Sequence, residues 1–278
     1  MSMSNPPGGG SQRIVLPGVK KTIAVASGKG GVGKSTVAAN LALALRMQGH
    51  QVGLMDADIY GPSVPIMMGL GMIDQKTTAF PVVKYGHKLV SMGFVVAPDQ
   101  ATIWRGPMVH KAITQFLTGI DWGELDYLVI DLPPGTGDAQ LTLTQTAPLS
   151  GAVVVTTPQD VALIDARKGL KMFEQVRVPV LGIVENMSYF ICHRCGERHE
   201  IFRHGGGERC AAELGIPFLG AIPLDPTVAL QGDLGEPIVH SHPDSAIAQA
   251  YLTLASAVKA QVEAMQSELT ELPTLEFQ

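Results

Sequence analysis

The sequence predicts an α/β protein built on a doubly wound, mostly parallel sheet with helices on both faces. Three observations lead there. Short β-branched runs alternate with helical patterns from Thr22 onward, the runs are apolar on both faces, and a glycine-rich loop separates the first run from the first helix.

The expected strands, in order, are "TIAVAS", "QVGLMD", "KLVSMGFVV", "YLVID", "GAVVVTT", "VLGIVEN" and, briefly, "FLGAIP". Between the first two, "KSTVAANLALALRMQGH" carries Val37, Leu41, Leu45 and Met47 near helical spacing and ends at Gly49, a C-terminal stop. A last helix is expected from about Ser245 to Leu269. Its only positive charge is Lys259, and the tail beyond carries Glu263, Glu268, Glu271 and Glu276, the wrong sign for a membrane-surface helix. Residues 1–19 read as a flexible leader rich in Gly and Pro, and residues 20–278 as one domain. One segment breaks the βα rhythm. Residues 186–210 hold all three cysteines, three of the eight histidines and a glycine triplet, the composition of an insertion.

A chain of 278 residues is ample for a buried core. A net charge of -5 argues against a broad basic surface, so nucleic acid is not an expected partner. No apolar run approaches the roughly 18 residues that span a bilayer, and the N-terminus lacks the pattern of a secretory signal. The expectation is a cytoplasmic protein with no membrane partner. An odd number of clustered cysteines fits metal or redox chemistry in a reducing compartment better than a disulfide framework.

Gly28-x4-Gly33-Lys34-Ser35 follows a strand and opens a helix, the setting in which G-x-x-x-x-G-K-[ST] forms a phosphate cradle. This gives the domain a P-loop NTPase architecture. Backbone N–H groups of Gly28, Gly30, Gly31, Val32, Gly33, Lys34, Ser35 and Thr36 converge on phosphate oxygens, and the helix N-terminus adds its positive end. Lys34 reaches the β and γ phosphates of a nucleotide, and Ser35 is a Mg2+ ligand. Asp131 ends "YLVID" before "LPPGTGD", where a carboxylate holds a Mg2+ water. Asp56 and Asp58 end the second strand. Asp58, in the following loop, is the preferred group to orient the attacking water, with Asp56 in support.

Cys192 and Cys195 form a C-x-x-C followed by glycine. One such pair supplies half the ligands of a tetrahedral zinc or a [4Fe-4S] cluster, and two copies about a two-fold axis would supply four. Three readings stay open on the residues alone. These are a shared iron-sulfur cluster, a zinc site within one chain using Cys192, Cys195 and two of His199, His204 and Cys210, and a redox pair. Cys210 itself is expected to be a small buried residue at a helix start.

The loop "GKGGVGKST" resembles the deviant Walker A motif of the MinD, ParA and nitrogenase iron protein class. "DADIYGPSVP", "WRGPM", "TTPQDVALIDARKG", "GIVENMSYF.C..CG" and "IFRHGGGERCA" extend the likeness to the Mrp/Nbp35 (ApbC-like) iron-sulfur cluster carrier ATPases over nearly the whole chain. The resemblance implies a homodimer that binds and hydrolyses ATP, holds a bridging [4Fe-4S] cluster on Cys192 and Cys195, and passes it to apo iron-sulfur proteins. It implies that Lys29 reaches the partner's nucleotide while Lys34 serves its own. It also implies adenine recognition by Asn186 and the loop around Pro223. The short leader carries neither the small N-terminal domain of many bacterial members nor the N-terminal cysteines of the eukaryotic branch. Arg105 is a candidate contact to a partner or cluster path. The rival implied by the wider class is a positioning or partition switch of the MinD or ParA kind, which explains both lysines but not the C-x-x-C.

Overall fold

The computed structural model describes residues 14–59, 61–71, 81–94 and 106–270. Residues 1–13 of the leader, residues 95–96 of the third strand run, Arg105 and the acidic tail past residue 270 lie outside that set. In chain order the elements are β1 (Val19–Ser27), α1 (Lys34–Met47), β2 (Val52–Asp56), α2 (Val64–Met67), β3 (Val82–Lys84), β4 (His87–Ser91), α3 (Gly106–Thr118), β5 (Leu125–Asp131), α4 (Asp138–Thr146), β6 (Gly151–Thr156), α5 (Asp160–Gln175) and β7 (Val180–Glu185). There follow β8 (Phe190–Ile191), β9 (Arg198–His199), α6 (Gly206–Leu214), β10 (Phe218–Ala221), α7 (Pro226–Leu234), α8 (Ile238–Ser241) and α9 (Ala246–Thr270).

Eight strands form one sheet in the order β10-β7-β6-β1-β5-β2-β4-β3. Every pairing is parallel except β3 with β4 at the edge. Each of the seven expected strand runs contains a strand of this sheet. The third is shorter than its run, because β4 ends at Ser91 and Met92–Phe94 turns into a 3-10 helix. The three-residue β3 was not expected, being too short to carry a periodic signal. The body also starts before the expected leader boundary: Leu16 is buried, and Val19 opens β1.

Alternating side chains of β1 feed two cores. Ile23 and Val25 join the layer packed by α1, α8 and α9, whereas Ala24 and Ala26 join the layer under α3 to α6. In α1 the alanines 38, 39, 42 and 44 are buried, and small residues let the helix approach the sheet closely. Leu41 and Leu45 have no exposed surface, while Met47 is half exposed and contributes little to the core. Truncating a fully buried leucine of this kind costs about 2–5 kcal/mol. Gly49, at φ +91°, follows the helix end where the left-handed region is needed.

The strand order places β1 between β5 and β6, so the chain crosses to opposite sides of β1 and leaves a crevice at the carboxyl ends of these strands. The glycine loop, Asp56 and Asp131 all stand at that edge. No described helix is long and apolar enough to cross a membrane.

Candidate nucleotide and cysteine sites

The loop after β1 is braced from both sides. The Ser27 hydroxyl donates to the Lys29 carbonyl at 2.8 Å, and Gly135 N–H, in the loop after β5, donates to the Ser27 carbonyl at 2.9 Å. A Cβ on Gly28 would stand 2.1 Å from the carbonyl carbon of Asp165, so α5 packs directly on the loop and only glycine fits there. Gly31 and Gly33 take φ near +80°, which turns the loop into the N-terminus of α1. Around it lies a pocket of about 210 Å³ lined by loop residues with Asp58 and Ser63.

Parallel pairing of β2 with β5 sets Asp56 opposite Asp131. Both are fully buried, and Asp58 nearly so. Lys34 Nζ lies 2.7 Å from Asp131 Oδ1, 3.6 Å from Asp58 Oδ2 and 3.2 Å from Ser35 Oγ. One ammonium therefore faces two carboxylates and a hydroxyl, and its charge also reaches the Asp56 carboxyl. Burial and then the Asp131 charge push the Asp56 carboxyl up to about 8, so it keeps its proton at neutral pH. Its oxygens accept from Ser91 Oγ at 2.8 Å and Asp58 N–H at 3.1 Å. Burial also raises the Asp131 carboxyl, with Lys34 pulling the other way. Asp131 Oδ2 is buried with no hydrogen-bond partner among the described residues. An orphaned carboxylate oxygen beside a serine hydroxyl, in a site with excess acid, fits a hard divalent cation such as Mg2+.

The phosphate pocket shares Gly33 and Thr36 with a second pocket of about 130 Å³, walled by Asn186, Met187, Pro223, Leu224, Asp225, Val228 and Tyr251. The two expected base contacts, Asn186 and Pro223, thus stand together. Asn186 is also a brace: its Nδ2 donates to the Val32 carbonyl at 2.8 Å, and a Cβ on Gly33 would meet that Nδ2 at 2.3 Å. The sequence reading missed Leu224, Asp225, Val228 and Tyr251. "DP" at Asp225-Pro226 is a helix-start signal that could have found one of them, and Asp225 does cap α7 by accepting from Thr227 N–H at 2.8 Å.

Lys29 is half-buried at the mouth of the phosphate pocket, and no carboxylate pairs with it among the described residues.

Cys192 and Cys195 lie on the turn of the β8–β9 hairpin. Cys192 N–H donates to the Glu197 carbonyl and Gly196 N–H to the Cys192 carbonyl, at 2.9 and 2.8 Å, with Gly196 at φ +74°. The Cys195 N–H first, then the Arg194 N–H and the Cys195 thiol, hold the Cys192 thiol below its ordinary value. Cys192 is partly buried and Cys195 exposed. The other proposed zinc ligands are not gathered with them. His204 Nδ1 lies 2.8 Å from Ser188 Oγ and its Nε2 2.9 Å from Arg198, His199 faces Glu197, and Cys210 is buried within α6. Among the described residues no group of three or more His, Cys, Asp or Glu side chains is placed to hold a metal ion, so the pair remains two sulfurs. The glycine triplet and Cys210, read with the insertion, start and line α6, because buried Glu185 accepts from Gly205 N–H at 3.0 Å and Gly207 N–H at 2.5 Å. Glu185 had no signal in the sequence beyond ending an apolar run.

The sequence pattern of the ParA/NUBPL iron-transfer P-loop NTPases matches residues 18–259. The chain belongs to that family. Among its relatives are the iron-sulfur cluster carrier protein of Aquifex aeolicus, 56% identical over 90% of this chain and 70% of the relative, and the mitochondrial iron-sulfur protein required for NADH dehydrogenase of Arabidopsis thaliana, 50% identical over 98% and 87%. A nucleotide-binding protein from Archaeoglobus fulgidus, solved with ADP, superposes with a TM-score of 0.69 at 44% identity over 80% of this chain and 88% of that one. The Pyrococcus furiosus cell division ATPase MinD shares the fold at a TM-score of 0.64 and 23% identity, covering 87% of this chain and 99% of its own. As a ParA/NUBPL-type NTPase, the chain has the nucleotide-binding fold that its glycine loop requires.

Proposed function

We propose that this protein is an ATP-hydrolysing iron-sulfur cluster carrier, cytoplasmic and homodimeric, which holds a [4Fe-4S] cluster between two copies of Cys192 and Cys195 and delivers it to apo iron-sulfur proteins. The observation that carries the reading is the two-sulfur half-site standing on a hairpin tied to the wall of the nucleotide pocket. A half-site is completed by an isologous partner. Free thiols at Cys192, Cys195 and Cys210 suit a reducing compartment. Relatives named iron-sulfur cluster carrier support the cargo.

At the nucleotide, N–H groups from Gly28 to Thr36 cradle the phosphates, and Lys34 leaves Asp131 for the β and γ oxygens. Ser35 and Asp131 would hold Mg2+, which would supply positive charge to the phosphate oxygens. Asp58 orients the attacking water, while Asn186 and Pro223 border the adenine. Lys29 crosses to the partner's nucleotide and stabilises charge on the transferring phosphoryl only in the closed dimer. Hydrolysis then reports closure. A MinD-like positioning switch would share this chemistry, but it gives the cysteine turn no role.

The deciding experiment measures iron, acid-labile sulfide and zinc in protein purified without oxygen, alongside a Cys192→Ala/Cys195→Ala variant. About four irons and four sulfides per dimer, absent from the variant, are expected. Stoichiometric zinc with no cluster after anaerobic reconstitution sinks the carrier reading and leaves the ATPase.

A further inference from the structure

We propose that Asp225 is a positioning residue for the cysteine pair, acting through His193 so that an adenine nucleotide in the base pocket steadies the Cys192–Cys195 turn. This rests on the reading above that the pocket takes a nucleotide and the turn holds the cargo.

Asp225 divides its two oxygens. Oδ1 caps α7 through Thr227 N–H at 2.8 Å, and Oδ2 lies 3.5 Å from His193 Nε2, inside the C-x-x-C itself. The same residue walls the base pocket with its neighbours Leu224 and Val228. A second tie runs through the backbone. Leu224 N–H donates to the Tyr189 carbonyl at 2.7 Å, Phe190 pairs with Leu224 as a parallel bridge, and the Phe190 ring stacks on His193 with centroids 6.0 Å apart. Only Ile191 separates Phe190 from Cys192.

Helix α7 explains why an occupant would matter. Its sequence PTVALQGDL is largely apolar, yet none of its residues is fully buried; Val228 packs on the core and Gly235 at its far end is held by the Tyr85 hydroxyl, which leaves the pocket-facing side of the helix open to an occupant. Val228 and Ala229 face the base pocket, and a base packed there adds apolar contact to α7 and fixes the orientation of its cap. The cap is Asp225, and Asp225 holds His193. A histidine–aspartate pair whose histidine is exposed adds little to global stability, so its consequence is local order at the turn.

The test uses the full chain, reduced and free of cluster. Alkylation of Cys192 and Cys195 is followed by peptide mass spectrometry with and without Mg-ADP, with buried Cys210 as an internal reference. ADP affinity is measured alongside by calorimetry. In the wild type, ADP is expected to slow alkylation of the pair about fivefold, the low end of ordinary site-to-site coupling. His193→Ala is expected to erase the ADP effect, and His193→Gln, which keeps a donor toward Asp225, to retain part of it. Equal ADP protection in His193→Ala, or no protection in wild type that binds ADP, overturns the proposal. Wild type that binds no ADP overturns the nucleotide reading and this proposal with it. Protection by ADP in protein that never holds a cluster overturns the carrier reading and leaves the positioning role standing.

Discussion

The phosphate site and the cysteine hairpin are built in opposite ways. Lys34, Asp56 and Asp131 sit on long elements, all buried, their spacing set by the pairing of β1, β2 and β5. The hairpin consists of two strands of two residues each, most of its turn is exposed, and it is held from outside by Leu224, Asp225 and the Glu185–Ser188–His204–Arg198 chain. A buried charged site is rigid because the whole core would have to open to disturb it, whereas a tethered hairpin moves at the cost of a few surface contacts. The first arrangement suits an invariant reaction geometry, the second the proposed role of a ligand pair that accepts and gives up its cargo.

The sharpest way to break this contrast is at Lys29, which belongs to the rigid loop but, in the proposed function, serves the partner. Lys29→Ala is expected to lower the hydrolysis rate about 10³-fold in steady-state assays, as loss of a trans cation does, while ADP still binds. Loss of ADP binding itself would refute the trans role. In the core, Leu41→Ala is expected to cost about 2–5 kcal/mol in denaturant unfolding, since the side chain is fully buried beneath the loop helix. A loss under about 1 kcal/mol would mean that α1 is not packed as described.

Asp56 offers a pH-dependent test. Its carboxyl is raised to about 8 in the folded protein, so the native state keeps a proton that the unfolded chain releases near pH 4. Stability of the metal-free, nucleotide-free protein should therefore fall as pH rises from about 4 to about 8, and Asp56→Asn should flatten that decline by about 1–3 kcal/mol at the upper end. Parallel curves for the two proteins would exclude a buried proton there. The smallest effect is expected at the hairpin. Arg198, which covers the Tyr189 ring at 4.0 Å and meets His204, should cost under about 1 kcal/mol of global stability as Arg198→Ala, yet open residues 190–199 to faster hydrogen exchange. Unchanged exchange would show that the backbone ties alone hold the hairpin.

The parts legible in advance share a physical cause. Each of the seven expected strand runs is apolar enough to stand out from the polar turns around it, and the glycine loop is a local motif whose backbone needs are written in adjacent residues. β3, β8 and β9 escaped because elements of two or three residues carry no period. The insertion was recognised by its composition, but its last residues belong to α6, whose start is set by buried Glu185 rather than by neighbours in sequence.

Local sequence by itself therefore determined the strand and helix runs, the phosphate loop and the presence of a two-cysteine turn, since these depend on residues within a few positions of one another. Only the tertiary structure decided that Asp56 stands opposite Asp131, that Asn186 locks against Gly33, and that Asp225 meets His193 at the edge of the base pocket. Those pairs are separated by tens to more than a hundred residues, and they meet only because parallel strands cross over a shared core to end at one edge.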